Sequence, residues 1–196
     1  LIFEVKGLSV EHVLKDINIK VHRGEIVSIF GLLGQGQDAL SRAVIGDMKI
    51  DEGEFYICGE KTRLRSPKDA VKHRIGFVSE DRKKAGLLLL QTLQRNISIA
   101  SMEKISRKGV INSGKEKELV SKWVEKLRIK CSTIHQSVAS LSGGNQQKAL
   151  IARWLANESE FIILNLPTRG VDVGAKYDIY QILEELCSTG VGILVF

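Results

Sequence analysis

Hydrophobic and polar positions along this chain follow two different periods. The first third holds short apolar runs, and residues 13–21 carry apolar side chains at 13, 17, 19 and 21, close to the alternation of a strand. The middle, from about residue 90 to 133, has helical spacing. Its clearest apolar stripe consists of Leu119, Val120, Trp123, Val124 and Leu127. The last third predicts a strand at 161–164, a helix over 172–187 and a strand over 192–196. This alternation predicts an α/β fold with a mostly parallel sheet and an inserted helical middle.

Turn and cap residues set the element boundaries in the first third. The apolar run of residues 25–30 predicts a buried parallel strand that leads into a glycine-rich loop. A helix is predicted over 38–45, with Asp38 in its first turn, where a negative charge suits the helix dipole. Ser66 followed by Pro67 predicts an N-cap and a first helical position. Residues 54–58 and 75–79 predict two further strands.

Length and composition narrow the class of protein. With 196 residues the chain can bury one full core, so a single domain is expected. Its apolar runs are far shorter than the about 20 residues that cross a bilayer, and its three separated cysteines fit a reducing cytosol. The net charge of +6 comes from scattered basic residues without interleaved aromatics. We therefore expect a soluble, cytosolic protein that does not bind nucleic acid.

The glycine-rich loop is a candidate phosphate-binding site. It follows a strand and opens a helix, so backbone N–H groups and the helix dipole can face an anion. The candidate nucleotide-binding residues are Gly31, Gly34, Gln35, Gly36, Gln37 and Asp38. A working loop continues with a lysine and a hydroxyl residue, which hold phosphate and Mg²⁺. Gln37 and Asp38 occupy those two positions, so we expect weak or no nucleotide binding here.

The most specific pattern is LSGGNQQK at residues 141–148. A serine N-cap and two glycines expose the first N–H groups of a helix to an anion. This segment resembles the signature motif of ATP-binding-cassette ATPases, in the form typical of ribose-, galactose- and xylose-type sugar importers. The resemblance implies that the signature contacts the γ-phosphate of ATP held by an opposing domain. The residues that carry it are Leu141, Ser142, Gly143, Gly144, Asn145 and Gln146.

Residues 161–176 resemble the family's second acidic strand and the loop behind it. The pattern is an apolar run followed by Asp-Glu-Pro-Thr-Arg-Gly-Val-Asp-Val-Gly-Ala-Lys. Asn165 stands in place of the metal-linked aspartate, and Leu166 stands in place of the general-base glutamate. Leucine can neither accept a proton nor orient a water, so no catalytic residue is expected. Gly170, Val171 and Asp172 match the D-loop.

A charged segment, Ser-Glu-Asp-Arg-Lys at residues 79–83, follows the strand at 75–79. In the resembled family this form fills the Q-loop position in the second half of a double-length ATPase. Glu80 then replaces the usual glutamine. That loop meets the membrane subunit in the family.

The resemblance also predicts the organisation and the partners of the chain. It implies a cassette fold of the P-loop ATPase kind, with an antiparallel β portion at the N-terminus and a helical subdomain over about residues 90–155. Residues 1–196 would be one nucleotide-binding domain that is incomplete, because the family domain continues for several more elements. Expected partners are another nucleotide-binding domain, permease subunits and, indirectly, a periplasmic or extracellular sugar-binding protein. ATP and Mg²⁺ would act in the assembled transporter, peripherally on the inner face of the plasma membrane.

Three readings remain open from the sequence. The first is the second nucleotide-binding domain of a sugar importer, whose own site does not hydrolyse ATP. The second is a standalone ATPase with an unusual site, in which Asp38 and Asp172 ligate the metal, although no metal-ligand set stands out. The third is a cassette protein that acts on nucleic acid or the ribosome, which the residue 79–83 and 141–148 segments disfavour. The solute cannot be derived, and nucleosides or other small molecules remain alternatives to a monosaccharide.

Overall fold

A computed structural model describes residues 1–32 and 34–196, and it has the α/β fold predicted above. The strands are β1 (Phe3–Val10), β2 (Leu14–Val21), β3 (Ile26–Ser28), β4 (Glu52–Ile57), β5 (Glu60–Thr62), β6 (Ile75–Val78), β7 (Ser106–Arg107), β8 (Val110–Ile111), β9 (Phe161–Leu164) and β10 (Gly192–Val195). The helices are α1 (Gln37–Ala43), α2 (Pro67–Lys72), α3 (Leu93–Ser98), α4 (Met102–Ile105), α5 (Ser113–Lys126), α6 (Gly143–Ala156) and α7 (Val173–Ser188).

The chain divides into two units of internal contacts. The first unit comprises Leu1–Phe77, Ser159–Leu166 and Leu183–Phe196. The second unit comprises Val78–Glu158 and Pro167–Ile182. Helix α7 supplies residues to both, and its inward side chains Ile179, Ile182, Leu183 and Leu186 are buried, as their spacing predicts.

The first unit contains two four-stranded sheets. An antiparallel sheet has the order β2-β1-β4-β5, and a second sheet has the order β3-β10-β9-β6, in which β10 pairs in parallel with both β3 and β9. The two sheets meet at a stacked aromatic pair, Phe3 of β1 and Phe161 of β9, with ring centroids 4.5 Å apart. Every residue of β9 is buried, which explains why this strand is apolar without alternation.

The second unit is mainly helical. Helices α3, α5 and α6 pack together, and the stripe predicted on α5 turns Val120 and Leu127 into the interior. The buried carboxylate of Glu116 accepts hydrogen bonds from Ser98 Oγ at 2.7 Å and Gln94 Nε2 at 2.8 Å. Those bonds satisfy a charge that burial would otherwise disfavour.

The structure corrects two boundaries of the predicted elements. A short hairpin, β7–β8, interrupts the helical middle, because Lys108 and Gly109 take positive φ of 52° and 79° in its turn. The strand predicted over residues 25–30 extends only over Ile26–Ser28. It is not buried as expected, because β3 lies at the edge of its sheet, where Ile26 and Ser28 are exposed. The predicted start of α2 is confirmed, since the Ser66 side chain accepts from the N–H of Asp69. Among the described residues, no helix combines the length and the apolar content that a membrane span requires.

The stacked pair at the centre of the first unit gives a stability prediction. Phe161→Ala removes a ring that is 2% exposed, so the free energy of unfolding should fall by about 3–5 kcal/mol in urea titration. Phe30→Ala is the matched control, because that ring is 92% exposed and its loss should change stability by less than about 0.5 kcal/mol. Equal losses for the two variants would contradict the described core.

Candidate functional site

The glycine-rich loop enters α1 through backbone conformations that favour glycine. Gly34 and Gly36 have φ of 86° and 93°, and Gly36 is the N-cap residue of α1. Loop residue 33 lies outside the described residues. Gln35 is exposed, and its N–H donates to Leu32 O at 3.3 Å. The loop therefore has the turn that a phosphate site needs.

The side chain of Gln37 folds back onto this loop. Its Nε2 donates to the carbonyl oxygen of Leu32 at 3.0 Å. A Cβ atom added at Gly31 would lie only 2.2 Å from the same Nε2, so the amide occupies the space above that glycine. The donor that stands in the lysine position is thus neutral and already bonded to the backbone. Asp38 is exposed in the first turn of α1.

Asn165 follows β9 and is 3% exposed. Its Nδ2 donates to Ser41 Oγ at 3.3 Å, and Ser41 Oγ donates to the carbonyl oxygen of Asp38 at 2.8 Å. This neutral chain joins the end of β9 to α1 directly. It uses no charged group, and within residues 1–32 and 34–196 no cluster of histidine, cysteine, aspartate and glutamate could hold a metal ion.

Leu166 adopts a left-handed backbone with φ of 46°. That conformation costs a branched residue roughly 1–2 kcal/mol. Its N–H donates to the carbonyl oxygen of Phe196 at 3.0 Å, which holds the backbone in place. The strained conformation is therefore present at a position whose side chain carries no polar atom.

The segment at residues 141–148 forms the start of α6, as predicted. Ser142 is the N-cap residue, but its side chain makes no cap hydrogen bond. Ser142 Oγ instead accepts from Asn145 Nδ2 at 2.9 Å, while Asn145 Oδ1 accepts from the N–H of Lys130 at 2.8 Å. Because Ser142 does not cap them, the first N–H groups of α6 keep their capacity to face an anion.

Both signature glycines are needed for close packing. A Cβ atom at Gly144 would lie 2.4 Å from Ala175 Cβ on α7, and one at Gly143 would lie 2.9 Å from Arg82 Nη2. One turn further along α6, Lys148 Nζ donates to Asp178 Oδ2 at 2.8 Å. These contacts fix the N-terminal half of α6 against α7.

Gln146 joins this region to the preceding turn. Its Nε2 donates to the carbonyl oxygens of Val138 at 3.3 Å and Leu141 at 3.2 Å. Its Oε1 accepts from Arg82 Nε at 3.4 Å. The amide of Gln146 thus bonds at both ends, and Leu141 is itself buried.

The segments at residues 79–83 and 168–172 lie side by side in the second unit. Glu80 forms an ion pair with Arg169. Arg82 donates from Nη1 to the carbonyl oxygen of Arg169 at 2.6 Å and from Nη2 to that of Gly170 at 2.9 Å. Val171 is half-buried next to Gly170, whose φ is 66°.

Asp172 acts as a helix cap in this structure. Its Oδ1 accepts from the N–H of Ala175 at 2.9 Å, and its carbonyl oxygen accepts from the N–H of Lys176 at 3.0 Å. Both bonds belong to the first turn of α7. The carboxylate predicted as an alternative metal ligand therefore has a structural partner.

Three side chains of this region were not identified from the sequence: Arg82, Lys148 and Arg169. Their partners are remote in sequence, and no local period predicts such contacts. The signal available was their position inside the segments 79–83, 141–148 and 161–176, which the sequence patterns single out.

A family comparison identifies the chain as a whole. Residues 14–169 match the family model described as ABC transporter. The chain belongs to the ABC transporter family.

Individual relatives of this ABC cassette are import proteins. It is 40% identical over 203 residues to the xylose import ATP-binding protein XylG of Thermoanaerobacter pseudethanolicus, covering 100% of this chain and 40% of that protein. It is 42% identical over 194 residues to the ribose import ATP-binding protein RbsA of Bacillus subtilis, covering 99% of this chain and 39% of that protein. The chain therefore spans about two fifths of the length of these curated relatives.

Solved structures confirm the cassette fold. A dimeric ATP-binding cassette, MJ0796, in a post-hydrolysis state with ADP and Pi superposes with a TM-score of 0.82 at 27% identity, covering 98% of this chain and 86% of that one. A nucleotide-free cassette from an ABC transporter superposes with a TM-score of 0.82 at 22% identity, covering 99% and 80%. The second likeness supports the fold alone.

The Lys148–Asp178 pair gives a prediction with a direction. Lys148 is 7% exposed in its side chain and Asp178 is 50% exposed, so Asp178→Ala strands a buried cation. We expect Asp178→Ala to lower the free energy of unfolding by about 1–3 kcal/mol. Lys148→Met keeps the apolar stem and leaves only an exposed carboxylate, so it should cost less than Asp178→Ala in the same urea titration.

The same pair predicts a pH dependence. The hydrogen bond from Lys148 lowers the pKa of Asp178 below its usual value. A lowered pKa in the folded state stabilises the fold above the unfolded pKa of about 3.9, and that stability is lost as pH falls through the folded value. The stability gap between the parent and Asp178→Ala should therefore narrow below about pH 4. A gap that is constant from pH 3 to 7 would contradict an ionic role.

Proposed function

We propose that this chain is a nucleotide-binding domain of an ATP-driven sugar importer whose own site does not hydrolyse ATP. In this proposal its signature completes a composite site, in which the phosphate loop and the catalytic carboxylate come from an opposing, competent domain. The chain would be the second half of a double-length ATPase. The relatives named for ribose and xylose import, and the length that the chain covers of them, support this assignment.

The observation that carries the proposal is the state of the four substituted positions. Gln37 is bonded to the loop, Asn165 is bonded to Ser41, and Leu166 has no polar atom. Asp38 adds a negative charge where the phosphates and metal would lie. A lost charge-assisted hydrogen bond is worth about 1.5–3 kcal/mol, so replacing the lysine alone should weaken nucleotide binding tenfold or more. Together the substitutions favour weak or no nucleotide at this site.

The start of α6 and the loop before α7 support the other half of the proposal. The α6 N-terminus has glycines and an N-cap side chain that leaves its first amides without a cap. In the proposed D-loop, Gly170 accepts a hydrogen bond from Arg82 and Asp172 accepts one from the N–H of Ala175. Helix α6 has 14 residues, and its N-terminus carries two glycines. Such a terminus suits contact with the γ-phosphate of ATP that the opposing domain holds.

The partners follow from this assignment. We propose permease subunits as the membrane partners, with Glu80 in the Q-loop position that meets them, and a sugar-binding protein outside the membrane as an indirect partner. The assembly would use ATP and Mg²⁺ and would lie on the cytoplasmic face of the plasma membrane.

The alternative is a standalone ATPase in which Asp38 and Asp172 hold Mg²⁺. The cap that Asp172 provides to α7 disfavours it, because metal ligation by the carboxylate would compete with the hydrogen bond from the N–H of Ala175. We also propose no nucleic-acid partner, since the basic residues are not gathered with aromatics.

ATP turnover by the isolated chain tests the inactive site. We expect no turnover above background, because no residue at positions 165 and 166 can activate a water. A turnover of about 1 per second, typical of a modest enzyme, would contradict the proposal. Binding of a fluorescent ATP analogue, with and without Mg²⁺, measures the residual affinity in parallel.

Variants in the assembled transporter test the composite site. Ser142→Glu places a carboxylate at the α6 N-terminus, where it favours the helix but repels phosphate, so ATP turnover should fall about tenfold or more. Gln37→Ala and Asp38→Asn alter this chain's own loop and should leave turnover within about twofold. The reverse pattern would assign hydrolysis to this domain.

A further inference from the structure

We propose that Glu80 and Arg82 are positioning residues that hold the loop of residues 168–172 against the signature turn of α6. The set Glu80, Arg82, Gln146, Arg169 and Gly170 is called the latch below. By this contact the surface that faces an opposing ATP keeps its shape without a nucleotide bound by this chain. The inference rests on the proposed composite site and adds the residues that pre-organise it.

Arg82 makes the central contacts of the latch. Its Nη1 and Nη2 donate to two consecutive carbonyl oxygens, those of Arg169 at 2.6 Å and Gly170 at 2.9 Å, and its Nε donates to Gln146 Oε1 at 3.4 Å. A planar guanidinium presents donors in a fixed fork, which matches paired acceptors. A lysine ammonium is a single point on a flexible stem, so it cannot hold the loop and Gln146 together.

The signature turn is shaped around this guanidinium. A Cβ atom at Gly143 would lie 2.9 Å from Arg82 Nη2 and 3.1 Å from the carbonyl oxygen of Gly170. Gly143 therefore touches both Arg82 and the loop that Arg82 binds. A movement of Arg82 would change the position of Gly143 and Gly170 together, because all three are in contact.

Glu80 orients the same loop from the other side. It forms an ion pair with Arg169, whose carbonyl oxygen Arg82 binds. Their side chains are 32% and 61% exposed, so the pair is too solvated to add much stability. Its effect is to fix where the side chain of Arg169 points and so to restrict the loop.

The turn that carries Arg82 is held by further hydrogen bonds. Arg82 opens a π-helical turn, Arg82–Gly86, a rare element that often lies at functional sites. Asp81 caps this turn by accepting from the N–H groups of Lys83 and Lys84, and the carbonyl oxygen of Gly86 accepts from Arg153 Nη1 of α6 at 2.7 Å. Both ends of the turn are thus tied to α6, through Gln146 and through Arg153.

The consequence for the composite site is geometric. Donors that stabilise a reacting phosphate act only when they are held in place, and a misplacement of about 1 Å can cost about a hundredfold in rate. The latch holds these loops in place through contacts within the chain itself.

The experiment measures ATP turnover by the complete transporter that contains this chain. Arg82→Ala and Arg82→Lys should both lower kcat by about tenfold or more while the KM for ATP changes less than about threefold, because ATP is bound mainly by the opposing domain. Lys84→Ala removes a positive charge from the same turn, at an exposed residue outside the latch and outside the residue 79–83 segment, and is the matched control. The melting temperature of each variant is measured, and each variant is assayed below it so that the folded protein is compared.

A charge exchange provides a second test that does not depend on Arg82. Glu80→Arg and Arg169→Glu should each lower kcat, and the double variant that exchanges the charges should recover at least half of the loss, in the manner of a coupled pair. If either Arg82 variant fails to fold, this exchange decides the matter alone.

The outcomes separate the latch from the proposed function. If Ser142→Glu leaves turnover unchanged, the composite site itself is wrong. If Ser142→Glu lowers turnover but the Arg82 variants and the charge exchange leave kcat within about twofold, the composite site stands and the latch is overturned. Lower melting temperature with unchanged kcat would equally overturn it, since a merely structural role predicts that result.

Discussion

The close approach of α6 to α7 is the constraint on which the candidate site depends. Gly144 lies so near Ala175 that a Cβ atom at residue 144 would lie 2.4 Å from the methyl group of Ala175. The two helices therefore meet at their backbones, and Lys148 and Asp178 extend the contact by one turn. Arg82 also joins the loop before α7 to the start of α6, because it donates to the carbonyl oxygen of Gly170 and to Gln146 Oε1. Packing and hydrogen bonds within the second unit therefore place this loop beside the first turn of α6.

The glycine-rich loop and the start of α6 differ in their electrostatics. At the glycine-rich loop, neutral amides satisfy the backbone and the neighbouring hydroxyl, through Gln37 with Leu32 and Asn165 with Ser41. Such bonds hold a loop and a strand end together without a cation, and they do not require a phosphate to balance charge. At α6, in contrast, the N-cap serine bonds to Asn145 and leaves the helix dipole uncompensated. Under the proposed composite site, the uncapped start of α6 would receive an anion held by an opposing domain.

Sequence patterns predicted the elements that local chemistry determines. The buried run of β9, the helix opened by Ser142 and the capped start of α2 at Ser66 follow from hydrophobic period and cap residues, and the structure confirms each. The hairpin β7–β8 was missed because its strands have two residues each, too short for any period. The contacts of Arg82 were missed for another reason. Its partners Arg169 and Gly170 lie 87 and 88 positions away, and only the tertiary fold brings them together.

The same contacts join two segments that are far apart in the sequence. Glu80 and Arg169 are each the counter-charge of the other, although both side chains keep contact with solvent. Arg82 constrains the backbone as well, because its guanidinium binds the carbonyl oxygens of residues 169 and 170 only if both point toward it. The left-handed φ of 66° at Gly170 provides that orientation at a residue without a Cβ atom. The charged segment and the D-loop therefore constrain one another as a unit, and a change in either alone would leave a buried or half-buried polar group without its partner.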